Sequence, residues 1–166
     1  MQARTVRNMV VSLWIGSTAV ACDASSPDPT QVNDRCHEIN AIQTVMADFS
    51  NFTTAGVIKS GFLAGTTKFT GDASSLTQLA STTASPVRPI SSFTGGLLIT
   101  TPNGTLTTRS VGLFEPGPFG RGTQLDRVIA GTGQYGGADG SLYFTFEADS
   151  TGSAFTSSVV GEVCLK

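Results

Sequence analysis

Three glycines late in the chain, Gly131, Gly133 and Gly136 in "IAGTGQYGGADGSLYF", are spaced G-x-G-x-x-G. That is the pattern of a turn that cradles a dinucleotide pyrophosphate. The chemistry needs a strand, the glycine turn, and then a helix whose N-terminal amides face the phosphate. "DRVIA" can supply the strand, and Glu147 and Asp149 lie at a suitable distance for a ribose contact. The helix is missing from the pattern, because Ser141 to Ala148 alternates as a strand and carries three aromatics. No nucleotide is expected. The glycines, with Gly137 and Gly140, are read as a corner that bends between two strands at positive φ, with Tyr135 packed across it.

A second set of residues could do acid–base chemistry. Arg109 interrupts "TLTTRSVGLF", Glu115 ends that run, Asp126 precedes "RVIA", and Tyr143 lies in "SLYFTFE". Pointing into an apolar interior, such groups would have their pKa values shifted by desolvation and by each other's charges. A cofactor-free cyclase or isomerase needs one acid, one base and a shaped cavity. On the outside they would form surface ion pairs worth under about 1 kcal/mol. Alternation puts Arg109, Val111 and Leu113 on one face and Leu106, Thr108 and Phe114 on the other, without saying which is inside. The aromatics Phe93, Phe114, Tyr143, Phe144 and Phe146 are read as core. His37, the single histidine, adjoins Cys36 and is read as an exposed strand-end residue, so a Ser/His/Asp triad is not expected. No C-x-x-C or H-x-x-x-H spacing exists, so neither a metal nor another cofactor is expected.

The N-terminus has its own character. Arg4 and Arg7 precede the apolar stretch Met9 to Ala21, the order of a signal peptide over residues 1–21. "AVAC" reads as an A-x-A cleavage site and also resembles a bacterial lipobox in which Cys22 carries lipid, although Ala19 stands where Leu is usual. The chain is therefore expected to be exported, either secreted or held in the cell envelope, with any membrane contact made through lipid on Cys22. Residues 22–35, "CDASSPDPTQVNDR", read as a linker. Without residues 1–21, eight basic and twelve acidic side chains remain, a balance that argues against nucleic acid. Cys36 and Cys164 are then free to pair in an oxidising compartment, the alternative being two buried thiols.

Residues 36–166 must position these groups. Few charges and abundant Thr, Gly, Phe and Val favour sheet over helix. Cys36 to Phe49 fits either a helical stripe or a strand. Strands are expected from Ser60 to Phe69, on both sides of Pro102-Asn103-Gly104, over "TQLDRVIAG", "SLYFTFEAD" and "AFTSSVVGEVCL". Loops are expected at Ala80 to Pro89 and Pro116 to Gly122. The expected fold is all-β: seven or eight antiparallel strands closed into a small barrel, lipocalin-like in outline, with room for side chains or one small ligand.

"RVIAGTGQYGGADGSLYFTF" resembles the "GGTG-F-GA-G" segment of the allene oxide cyclase and dirigent-protein barrels. "SGFLAGTTKF", "GTLTTRSVGLFE" and "GEVCLK" resemble exported bacterial proteins with such a domain. The resemblance covers about Cys36 to Lys166. It implies an eight-stranded antiparallel barrel with an internal cavity and no cofactor, and it favours strand for Cys36 to Phe49. It places no catalytic residue, and a shared fold does not carry an activity. Three functions follow as expectations: an exported barrel binding a small apolar molecule; a cofactor-independent cyclase or isomerase on a lipid-like or polyketide-like substrate; or an envelope module with a filled interior. The oligomeric state stays open.

Overall fold

A computed structural model describes residues 35–80 and 89–166. The expected signal segment, Cys22, the linker up to Asn33 and Asp34, and the middle of the Ala80–Pro89 loop lie outside the described residues.

Among the described residues, nine strands form one antiparallel sheet: β1 (Cys36–Asp48), β2 (Thr53–Ile58), β3 (Gly65–Gly71), β4 (Thr77–Ala80), β5 (Ile90–Thr101), β6 (Gly104–Phe114), β7 (Arg121–Gly131), β8 (Asp139–Ala148) and β9 (Ala154–Cys164). Its order is β3-β2-β1-β9-β8-β7-β6-β5-β4, and β3 also pairs with β5. That pairing, Thr66 opposite Thr100 through Gly71 opposite Gly95, closes eight strands into a barrel and leaves β4 outside, against the start of β5. Closure satisfies the backbone edges that an open sheet would present.

The period of two decides each strand. In β1, Ile39, Ala41, Gln43 and Val45 are buried while Glu38, Asn40, Ile42 and Met46 are exposed. The helical stripe is therefore not realised. Leu106, Thr108, Ser110 and Gly112 point inward from β6, and Leu142 and Phe144 from β8. One strand is added to those expected, and one strand boundary moves. Thr53–Ile58 is a strand of its own, which "TTAGVI" conceals behind two threonines and a glycine. Ser60 to Ala64 forms a turn, and β3 begins only at Gly65. The β5–β6 hairpin forms at Pro102-Asn103, and its positive φ, 142°, falls on Gly104 as the Asn-Gly pair leads one to expect. Pro102 cannot take the positive φ that a type I′ turn requires at its first central position.

The two ends of the barrel differ. At one end the β2–β3 turn brings Phe62 and Leu63 over the interior, and a short 3-10 turn at Gly133–Tyr135 drives Tyr135 in to meet them. Tyr135 Oη donates to the Phe62 carbonyl at 3.0 Å and accepts from Thr101 Oγ1 at 3.2 Å. This is the work of the glycine motif. Gly133 and Gly137 adopt positive φ, at 60° and 73°, and the chain leaves as β8, an extended strand. Tyr135 is thus fully buried and plugs this end, which goes further than packing across a turn.

Cys36 faces Cys164 across the β1–β9 pairing, and their sulfurs are bonded. The sequence separation of 128 makes this a clasp on nearly the whole barrel. A loop of that length corresponds to about 5 kcal/mol in the chain-entropy treatment. We expect Cys36→Ser to lower the melting temperature of the oxidised protein by several degrees, measured by calorimetry. An unchanged midpoint would mean that the clasp contributes nothing.

Candidate functional site

The other end of the barrel is open. A cavity of about 90 Å³ lies there, between the ends of β1, β6 and β8 and the starts of β2, β5, β7 and β9. Phenylalanine is its commonest lining residue: Phe49, Phe52, Phe69, Phe93, Phe114, Phe144, Phe146 and Phe155. The rings meet edge to face. Phe69 and Phe93 have centroids 5.6 Å apart, Phe93 and Phe114 5.9 Å, and Phe146 and Phe155 5.7 Å. That geometry suits the aromatic quadrupole.

Glycines on neighbouring strands make this wall possible. Phe93 lies over Gly112, its partner in the β5–β6 register, and Phe146 lies over Gly122, its partner across β7–β8. Phe69 lies over Gly95 and Phe52 over Gly71. At each glycine an added Cβ would collide with the ring. The rings therefore lie against the backbone, and space remains in the middle. Phe52 reaches its place from a left-handed backbone, φ 50°, in the β1–β2 turn. Such a conformation is uncommon for a bulky residue and costs of order 1–3 kcal/mol.

The polar groups of the site come from strand faces that are otherwise apolar. Gln43 and Ser157, 4% and 3% exposed, stand opposite each other in β1 and β9 and line the cavity. Gln43 Nε2 donates to Thr67 Oγ1 at 2.7 Å. Gln124 lines the cavity from β7 and screens Asp126, two residues along the same face. Its Nε2 donates to Asp126 Oδ1 at 2.8 Å and to Ser110 Oγ at 3.3 Å. Thr108 Oγ1 donates to Asp126 Oδ2 at 2.5 Å. Asp126 is fully buried, and no cation pairs with it among the described residues. Burial raises its pKa, although the hydrogen bonds from Thr108, Gln124 and Ser110 oppose the rise.

Of the four acid–base candidates, Asp126 alone is turned into the barrel. Arg109 is on the outer wall and pairs with Asp72, whose carboxyl also accepts from Thr94 Oγ1 at 2.6 Å. Thr94 and Arg109 together hold the Asp72 carboxyl below the usual range. Tyr143 is also outside, 42% exposed, in a row with Val111, Leu125 and Val160. Its expected core position is thus corrected, whereas Phe93 and Phe144 are buried and Phe114 and Phe146 pack against that core. Glu115 is half-buried beyond the end of β6, outside the cavity. The structure does not bring the four together. His37 is half-buried rather than exposed, and it stacks on Phe62, with ring centroids 3.8 Å apart, at the plugged end. Among the described residues one group of metal-type ligands converges, Cys36, Glu162 and Cys164, and both of its sulfurs are spent in the disulfide.

Sequence reading overlooked Gln43, Gln124 and Ser157. A usable signal existed: each is a polar residue in phase with apolar ones, Gln43 with Ile39 and Val45, Gln124 with Val128, and Ser157 with Val159 and Val163. The chain matches no protein-family model, no curated protein and no solved structure.

The buried carboxyl makes a pH prediction. Because the folded pKa of Asp126 is raised, the native state holds a proton that the unfolded state has lost once pH exceeds about 3.9. Stability attributable to this group is full below that value and falls as pH rises through the folded pKa, with a slope of up to about 1.4 kcal/mol per pH unit. Asp126→Asn keeps an acceptor for Gln124 and, with Thr108 turned toward the Leu97 carbonyl, a donor for Thr108 Oγ1. We expect this variant to lack that part of the decline and so to gain on the wild type as pH rises. Parallel denaturation curves across the acidic range would refute the assignment.

Proposed function

We propose that this barrel is a binding protein that receives the apolar part of a small molecule in its open end. The observation that carries the reading is the cavity itself: a phenylalanine-walled space, open on one side, in a barrel plugged at the other. Small-ligand sites are concave and mostly apolar, with few polar groups. At about 90 Å³ the space is smaller than the roughly 150 Å³ of an engineered apolar cavity that holds benzene. It suits one ring seated partly in the mouth, or a short alkyl end, with the rest of the ligand outside. The open half of the interior favours binding over a filled envelope module.

A cofactor-independent cyclase or isomerase is the second reading, and Asp126 favours it. A buried carboxyl with a raised pKa, joined to the cavity through Gln124, is a recognisable acid–base element. No second ionisable group converges on it among the described residues, which is why binding is placed first. The resemblance to allene oxide cyclase and dirigent barrels supports either reading, since those barrels also enclose a cavity.

Export belongs to the same proposal. The segment Met9 to Ala21, the "AVAC" sequence and a disulfide-clasped barrel together fit a protein of an oxidising compartment. In this reading Cys22 carries the lipid.

Two measurements test the proposal. Toluene should bind the purified barrel and raise its melting temperature, while Ala47→Phe, which places a ring in the mouth, should abolish the rise without unfolding the protein. A barrel indifferent to both toluene and benzyl alcohol at millimolar concentration would sink the binding reading. In a bacterial host, Cys22→Ser should move the protein from the membrane to the soluble fraction; a mutant retained on membranes would dispose of the lipid anchor.

A further inference from the structure

The polar floor of the cavity narrows the class of ligand, and the argument rests on the binding reading above. Gln43 and Ser157 are both more than nine-tenths buried and face each other across β1 and β9. Gln43 uses its Nε2 on Thr67, which leaves Oε1 without a protein partner. The Ser157 hydroxyl has no protein hydrogen bond. Yet every side-chain nitrogen or oxygen that is fully sealed among the described residues has a partner. The two unpartnered atoms therefore reach open space, and the space both residues line is the cavity.

We propose that this pair recognises a neutral hydroxyl group on an apolar body, with the hydroxyl directed inward and the body packed against the phenylalanine wall. A ligand O–H donates to Gln43 Oε1, and its oxygen accepts from the Ser157 hydroxyl. Both halves of the ligand's hydrogen-bonding capacity are met by groups already in place. Charge excludes the corresponding acid. Among the described residues, no Lys or Arg lines the cavity. The nearby ionisable groups are Asp126 behind Gln124 and Asp48 at the rim, and Asn51 keeps the Asp48 carboxyl below its usual range and so ionised. A carboxylate would enter an apolar space with two acids at hand and no counter-charge. A purely apolar ligand would fill the space and leave Gln43 and Ser157 unpaired.

Three probes of one shape separate these cases: toluene, benzyl alcohol and benzoate, titrated calorimetrically against the intact barrel. Benzyl alcohol should bind at least about fivefold more tightly than toluene, as expected for one or two net hydrogen bonds. Benzoate should be weaker than toluene. Ser157→Ala, a change of one buried oxygen, should remove part of this preference, weakening benzyl alcohol while toluene binds as well or better. Gln43→Leu should do the same from the other side. Toluene bound with no preference for the alcohol, or a preference unchanged by both Ser157→Ala and Gln43→Leu, overturns the hydroxyl assignment and leaves the binding reading standing. Failure of both neutral probes to bind overturns the binding reading itself.

Discussion

Pairing of β3 with β5 converts a curved sheet into a closed wall, and the site depends on that closure. Once eight strands share one interior, every inward side chain competes for the same volume. The plugged half resolves the competition by dense filling: Leu63, Ile99, Leu106, Leu142, Val163 and Tyr135 are all at most 1% exposed. The open half resolves it differently. There the rings are large but lie flat over glycines of the next strand, so the wall is thick and the centre is left empty. A Cβ at Gly112 or Gly122 would push Phe93 or Phe146 toward the axis, and the cavity is the room those glycines make.

The same closure sets the electrostatics. Inside the wall a carboxylate has little water to stabilise it, so Asp126 survives only by accepting from Thr108 and Gln124. Gln124 has two duties: it satisfies the acid and it forms part of the surface a ligand meets. Outside the wall, Arg109, Arg121 and Arg127 pair with Asp72, Glu147 and Asp139 at sites open to solvent, where such pairs contribute little. Opposite faces of the same strands thus treat charge in opposite ways, and the faces alternate residue by residue.

That alternation explains what could be read from the chain and what could not. β8 and the β5–β6 hairpin were evident, because Leu142, Phe144 and Phe146 keep strict phase and Pro102-Asn103-Gly104 interrupts two β-type runs. That the chain continues as strand after Gly140 was evident too, from the aromatic alternation there. β1 was ambiguous because Ile39, Ile42, Val45 and Met46 fit a helical stripe while Gln43, Thr44 and Val45 suit a strand; pairing with β2 on one side and β9 on the other decides between them. β2 was missed because half its residues are Thr or Gly. The sign of each face was beyond reach: Arg109 and Asp126 are equally plausible inward residues until the register fixes their strands. The cavity itself depends on contacts between Phe69 and Gly95, or Phe52 and Gly71, that no local window of sequence contains.

The β1–β9 seam has a kinetic meaning. β1 is the first strand of the barrel to be made, and β9 is the last. β2 can zip onto one edge of β1 early, across a short turn, but the other edge has no partner until the C-terminal eleven residues are available. Bringing them together closes a loop of more than a hundred residues, a step whose entropic cost makes such topologies slow to fold. Throughout that interval Ile39 and Ala41 have no neighbouring strand, and neither they nor Val45 have an interior to occupy. The bond between Cys36 and Cys164 ties the two ends of that loop together, so once formed it holds shut the seam that is entropically the costliest to close.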